Sequence, residues 1–150
     1  MRVFRITLTK WADSLRGSGF PGRWNSKGYF VIYTAGSQAL ACLENLVHRS
    51  GEGLNEAFSV IEINIPDFIE VKHLDSKDFP VDWSDVVYYP FTQKTGDNWV
   101  DNKESCVLKV PSAIIPREFN YLINPSHPDF NEIRIVDISP FKFDVRFQGL

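Results

Sequence analysis

The chain predicts an α+β fold, one domain with a mixed, mostly antiparallel sheet and flanking helices. Three features of the sequence point there. Apolar stretches of strand length recur along the chain, one segment has clear helical spacing, and nine prolines and nine glycines cut the rest into short pieces. At 150 residues a single domain spanning 1–150 is expected, and a fold of this size buries roughly 70% of the surface its unfolded chain exposes. Hydrophobic residues make up 43% and charged residues 23%, a globular composition far from that of disordered chains.

Residues 3–8 alternate apolar and polar side chains and read as a strand. Arg5 and Thr7 share one face of it, Phe4, Ile6 and Leu8 the other, so Arg5 is free to point into a pocket. A glycine-rich turn region covers 16–28, and an apolar and aromatic strand covers 29–34. Gly36 closes that strand, and Ser37 is a plausible N-cap for a helix through about His48. Residues 58–65 alternate again and stop at Pro66, with a short strand expected over 68–72. The 88–100 segment is ambiguous, reading as a short helix interrupted near Gly96. Three further strands are expected at 106–110, 120–123 and 133–138. No internal repeat, low-complexity tract or linker divides the chain.

A formal net charge of −3 and a pI near 5.6 speak against a direct nucleic-acid surface, which needs clustered Lys and Arg. A small anionic ligand needs only local cations. No stretch approaches the ~18 apolar residues of a membrane span, and the first residues lack a sustained apolar run, so a cytoplasmic protein without a membrane partner is expected. Cys42 and Cys106 are too few for a disulfide framework or a four-cysteine zinc site and read as small buried apolar residues. His48, His73 and His127 lack ligand spacing, and no metal is expected.

Gly17-Ser-Gly-Phe-Pro-Gly22 satisfies a dinucleotide-binding spelling, but that motif must follow a strand and open a helix, which this one does not. Arg23 follows directly; its guanidinium either grips a phosphate with two parallel hydrogen bonds or caps a turn at the surface. Trp24 packs beneath that turn. Tyr33 shares a strand face with Tyr29 and Val31, and either stacks on a planar heterocycle or fills core. Glu44 lies about 40° from Leu40 at the edge of an apolar stripe marked by Leu40, Leu43 and Val47. A carboxylate there needs a cation, a hydrogen-bonded network or a ligand, unless it pairs locally with His48 one turn on. Ser112 stands just past a strand end where a hydroxyl can line a cleft; without a nucleophile elbow it suits binding more than attack. Asn120 and Asn124 either orient a ligand or a loop, and the prolines Pro125 and Pro128 stiffen the turn around Asn124.

These segments together resemble the RES domain, the toxin half of bacterial RES–Xre toxin–antitoxin pairs. Gly22-Arg-Trp-Asn25, Gly28-Tyr-Phe-Val-Ile-Tyr33, Ala41-Cys-Leu-Glu44 and Val110-Pro-Ser112 carry the resemblance, with Asn120, Asn124-Pro125 and His127-Pro128. Gly96-Asp-Asn-Trp99 and Phe143-Asp-Val-Arg146 extend it over nearly the whole chain, and the order and spacing of the motifs are more specific than any one of them. The resemblance implies a fold like that of the ADP-ribosyltransferases related to diphtheria toxin and an activity that consumes NAD as a substrate, with no resident cofactor.

It also implies a polar triplet of Arg23, Glu44 and Ser112 with Tyr33 as active-site tyrosine, and Arg5 as a further pocket residue. In that picture Glu44 stabilises the positive ribose, Arg23 and Arg5 fix phosphates, Tyr33 stacks on nicotinamide, and Ser112 bonds ribose or nicotinamide. An Xre-type antitoxin carrying a helix-turn-helix is the implied partner in a hetero-oligomer, so nucleic acid is contacted only through it. Loss of cellular NAD, with phosphate or water as acceptor, is the expected outcome. A transferase acting on one host protein, or an inactive module that binds NAD or antitoxin, are the alternatives.

Overall fold

The computed structural model describes residues 1–49 and 53–147. Among them, seven strands form one sheet: β1 (Arg2–Leu8), β2 (Ile32–Ala35), β3 (Phe58–Asn64), β4 (Val71–His73), β5 (Val107–Pro111), β6 (Phe119–Ile123) and β7 (Arg134–Phe141). The order across the sheet is β4-β5-β6-β2-β1-β3-β7. Every neighbouring pair is antiparallel except β4 with β5. Two helices, α1 (Gln38–Arg49) and α2 (Tyr89–Asn102), complete the α+β class expected from the sequence.

Strand alternation gives the sheet two buried faces. On one, Val3, Ile32, Ile61, Ile63, Val107 and Ile123 form a core closed by the 3-10 turns and loops near Ala12 and Ile133. On the other, Ile6, Ala35 and Val60 meet α1 through Leu40, Ala41 and Leu46. Beside α1 on that second face, Leu108, Val110 and Leu122 carry a cluster of Trp24, Trp83 and Trp99. The region between α1 and the tryptophans holds the polar residues described below.

Ser37 caps α1 as its chemistry suggests, its Oγ accepting from the Leu40 amide at 3.1 Å. The helix is rotated from the expected stripe, because Val47 is 60% exposed while Ala41 and Leu46 are buried. Asn45 Nδ2 donates to the Ile6 carbonyl, which turns this face toward β1. Glu44 therefore projects between buried Leu40 and Ala41 rather than at the margin of the apolar face.

Three expected elements change. The short strand expected over 68–72 pairs only at Val71–His73, because the residues before it form a turn in which the Ile69 amide donates to the Pro66 carbonyl. The aromatic run at 29–34 pairs only from Ile32 onward. Its first residues close a turn, with the Tyr29 amide donating to the Ser26 carbonyl and the Tyr29 hydroxyl to Asp101, so apolar character there does not mean strand. Gly96, expected to interrupt a helix, sits inside the continuous α2. A Cβ at Gly96 would lie 1.8 Å from the Trp24 carbonyl oxygen, so glycine serves close backbone packing here and does not mark a break.

Gly96→Ala is expected to lower stability by about 3 kcal/mol through overpacking against backbone that cannot yield. Gly28→Ala, where a side chain meets open space but the backbone has φ +94°, should cost less, roughly 1 kcal/mol. Urea midpoints of the two variants test the order, and equal losses would refute the contact as the cause.

Burial pushes the Cys106 thiol up from 9.0 to about 12. A raised folded pKa means the folded state holds its proton longer, so this stabilisation is complete below pH 9 and is lost as pH rises toward 12. Denaturation curves between pH 8 and pH 10 should show a decline beginning near pH 9 that is weaker in Cys106→Ala.

Candidate active site

Glu44 anchors the site from α1. Its Oε1 accepts from Ser112 Oγ at 3.0 Å and from Asn120 Nδ2 at 2.5 Å. Ser112 lies immediately after β5 and Asn120 on β6, so one carboxylate oxygen joins a helix to two adjacent strands. The proton count of Ser112 is closed. Its Oγ accepts the Ile114 and Ile115 amides at 3.1 Å each, which leaves its single hydrogen for Glu44. Ser112 is thus occupied in holding the carboxylate, and the hydrogen bond to ribose or nicotinamide expected of it has no proton left to use.

Asn120 has the same bearing on Glu44, and its Oδ1 is buried without a partner among the described residues. No protein donor reaches Glu44 Oε2 among the described residues. Glu44 is half-buried, and the local pair with His48 does not form: the acid turns to Ser112 and Asn120 instead. The result is a carboxylate fixed through one oxygen with the second available.

Tyr33 belongs to the same face. Asn120 pairs with Ala35 across β6 and β2, and Tyr33 lies two residues along β2 from Ala35, which is about 7 Å of strand. Its hydroxyl donates to Asn25 Oδ1 at 2.6 Å and accepts from the Trp24 amide at 3.0 Å. Burial pushes that hydroxyl well above its ordinary 10.0, partly offset by the Trp24 amide. Tyr33 stays neutral and pins the turn before β2. Gly22 is required beneath it, since a Cβ there would meet the hydroxyl at 2.6 Å.

Arg23 projects from that pinned turn. Its Nη1 donates to the Trp83 carbonyl at 3.3 Å, and its guanidinium lies over the rings of Tyr89 at 4.7 Å and Trp83 at 5.8 Å. No carboxylate lies within ion-pair reach of Arg23 among the described residues. Its charge and most of its five donors therefore remain available to an anion.

Two candidate residues are placed elsewhere. Arg5 neighbours Phe4, which pairs with Ala35 on the Glu44 side, so alternation carries Arg5 to the opposite face. There its Nη1 donates to the Arg16 carbonyl at 2.8 Å, and burial holds the guanidinium below its ordinary 12.5. Asn124 is fully buried: Nδ2 donates to the Val100 carbonyl, and Oδ1 accepts from the Ser126 amide and hydroxyl. Its oxygen serves the turn, its nitrogen ties that turn to the end of α2, and its complete burial keeps it from a ligand, which corrects the ligand-binding role considered for it.

The 17–22 glycine segment opens no helix. It packs around Asn25, whose Nδ2 donates to the carbonyls of Phe20, Ser26 and Tyr29. Sequence reading did not single out Asn25, Trp83 or Tyr89. Asn25 carried a weak signal as the polar end of Gly22-Arg-Trp-Asn25; the two rings carried none, being some sixty residues from Arg23 in the chain. Among the described residues no group of histidines, cysteines and acids is placed to hold a metal, and no helix is long and apolar enough to cross a membrane.

Comparison with known proteins agrees with this geometry in fold and family. The chain is 36% identical over 150 residues to the Prs ADP-ribosylating toxin of Sphingobium sp., covering 97% of this chain and 93% of that protein. It is 34% identical over 153 residues to Toxin Res of Yersinia enterocolitica, covering 99% of this chain and 100% of that protein. In structure it is similar to a chain of the M. tuberculosis MbcT–MbcA toxin–antitoxin complex, with a TM-score of 0.77, 18% identity, and coverage of 94% of this chain and 84% of that one. The RES domain family model matches residues 2–144, and the chain belongs to the RES domain family.

Proposed function

We propose that this chain is a toxin that breaks the bond between nicotinamide and ribose in NAD, with phosphate or water as acceptor. The observation that carries the proposal is the Glu44 carboxylate, held through Oε1 by Ser112 and Asn120 and left with Oε2 for a ligand. A carboxylate restrained in this way is preorganised to face developing positive charge. When the C–N bond breaks, its electron pair leaves with the nicotinamide nitrogen, which departs neutral, and the ribose becomes oxocarbenium-like. No strong acid is required for that leaving group. The acceptor oxygen then bonds to the ribose carbon and gives up its proton if it carries one.

In this reading Glu44 touches the ribose, while Ser112 and Asn120 act through Glu44 by orienting it. Arg23 takes the diphosphate, and Tyr33 presents a neutral ring beside it. Arg5, on the far face, is assigned no contact with the substrate. A local cation within a chain of net charge −3 suits a small anionic ligand better than a nucleic acid.

A second reading is favoured by the name of one 36% identical relative, an ADP-ribosylating toxin. It shares the leaving step and differs in the acceptor, which would be a protein side chain. An antitoxin of the helix-turn-helix class is the partner we propose; an antitoxin partner, without its class, is supported by the toxin–antitoxin complex in which the structural neighbour was crystallised. It would act by covering the Glu44 and Arg23 surface.

Purified chain incubated with NAD should release nicotinamide, with free ADP-ribose or its phosphorylated form as co-product. Glu44→Gln is expected to lower kcat by about 100-fold or more, because the amide cannot face the positive ribose as a carboxylate does. Absence of any nicotinamide release from well-folded wild-type chain would reject the reading. Label from NAD appearing on one protein band in lysate, without free product, would favour the second acceptor.

Ser112→Ala should have a smaller effect, about tenfold on kcat, because Asn120 still holds Oε1. It should also lower stability by about 1–3 kcal/mol, since the Ile114 and Ile115 amides lose their acceptor. Kinetics and urea denaturation on the same preparations check both; a loss as large as that of Glu44→Gln would instead indicate direct contact between Ser112 and substrate.

A further inference from the structure

One face of α2 grips the segment that carries Arg23, at residues spaced four and three apart. Tyr89 lies over the Arg23 guanidinium at 4.7 Å, Gln93 Nε2 donates to the Gly22 carbonyl at 2.8 Å, and Gly96 receives the Trp24 carbonyl. Positions i, i+4 and i+7 of a helix share one side, so the three contacts are one continuous seam. The start of the seam is itself held. Asp85 Oδ1 accepts from the Val87 amide, capping the 3-10 turn Val86–Tyr88 that leads into α2, and a proline stands in the first turn of the helix. The Tyr89 ring is therefore presented from a defined backbone position.

A guanidinium lying on an aromatic face keeps its N–H donors at the edge of its plane, pointing away from the ring. Arg23 spends one donor on the Trp83 carbonyl and has no carboxylate partner among the described residues. An unsupported arginine at a turn would distribute that edge over many directions. The geometry points to Tyr89 as a positioning residue: its ring, together with the Trp83 carbonyl, holds the Arg23 guanidinium so that its open edge receives a diphosphate. The ring of Tyr89 is the part that matters in this arrangement, and its hydroxyl is not.

The inference rests on the assignment of Arg23 to the diphosphate, and the test separates the two. Binding of inorganic pyrophosphate is measured by calorimetry, and KM and kcat for NAD by nicotinamide release, for wild type, Tyr89→Phe, Tyr89→Leu and Arg23→Ala. Tyr89→Phe should match wild type. Tyr89→Leu should weaken pyrophosphate binding and raise KM by roughly fivefold with kcat within about twofold, the size expected for a lost cation–π contact. Arg23→Ala should lose pyrophosphate binding, and adding Tyr89→Leu to it should change nothing further.

Wild-type behaviour of Tyr89→Leu alongside a defective Arg23→Ala would overturn the role of Tyr89 and leave Arg23 in place. Unaltered pyrophosphate binding and KM in Arg23→Ala would overturn the assignment of Arg23 itself. A defect in Tyr89→Phe equal to that in Tyr89→Leu would show that the hydroxyl, not the ring, is needed, and would also overturn the proposal. If Tyr89→Leu is unfolded by thermal melting, Tyr89→Met takes its place, and normal affinity in that variant counts against the proposal in the same way.

Discussion

Glu44 Oε1 is the point on which the candidate site depends. Two donors reach it, one from just past β5 and one from its neighbour β6, and the carboxylate itself comes from α1 packed on that face of the sheet. A half-buried carboxylate without such partners would be held back by desolvation. With them it is restrained, and its unused oxygen has a direction. The Ile114 and Ile115 amides matter as much as the serine itself, because by occupying the lone pairs of Ser112 they determine where its proton goes.

The other half of the site is organised by backbone proximity. Trp24 presses its carbonyl onto Gly96, and its amide onto the Tyr33 hydroxyl, so the turn carrying Arg23 is fastened to α2 on one side and to β2 on the other. Asn25 adds three hydrogen bonds within the loop. Such fastening has a chemical use: a residue that must meet a charged ligand repeatedly in one orientation loses less entropy on binding when the protein has already restrained it.

Charge is arranged locally rather than globally. The chain is acidic overall, yet Arg23 sits among aromatic faces instead of acids. A nearby carboxylate would satisfy the arginine internally and remove its value for an anion. Aromatic rings stabilise the cation while leaving its donors unused. The same separation holds at Glu44, which takes neutral donors from Ser112 and Asn120 and no cation among the described residues.

Much of the scaffold was legible in the sequence because it follows from periodicity and local chemistry. The strands β1, β3, β5 and β6 lie within a residue or two of the expected stretches, and Ser37 caps α1 as a serine after glycine suggests. Glu44, Ser112, Arg23 and Tyr33 stood out as polar or aromatic residues at positions that need a partner, and the family resemblance put them in one group. Their hydrogen-bond partners were not legible. That Ser112 gives its proton to Glu44, that Tyr33 is consumed by Asn25 and Trp24, and that the Asn124 nitrogen reaches the Val100 carbonyl depend on how separate segments meet. The continuity of α2 through Gly96 was hidden for the same reason, since helix propensity counts glycine as a cost while the approach of the Trp24 carbonyl makes it a requirement. The sequence by itself determined most of the strands, the helix α1 and which side chains carry charge into them. Only the tertiary structure decided which of those side chains meet, because alternation and helix rotation assign each one a face, and a face has meaning only once the sheet order and the crossing of α1 and α2 over it are in place.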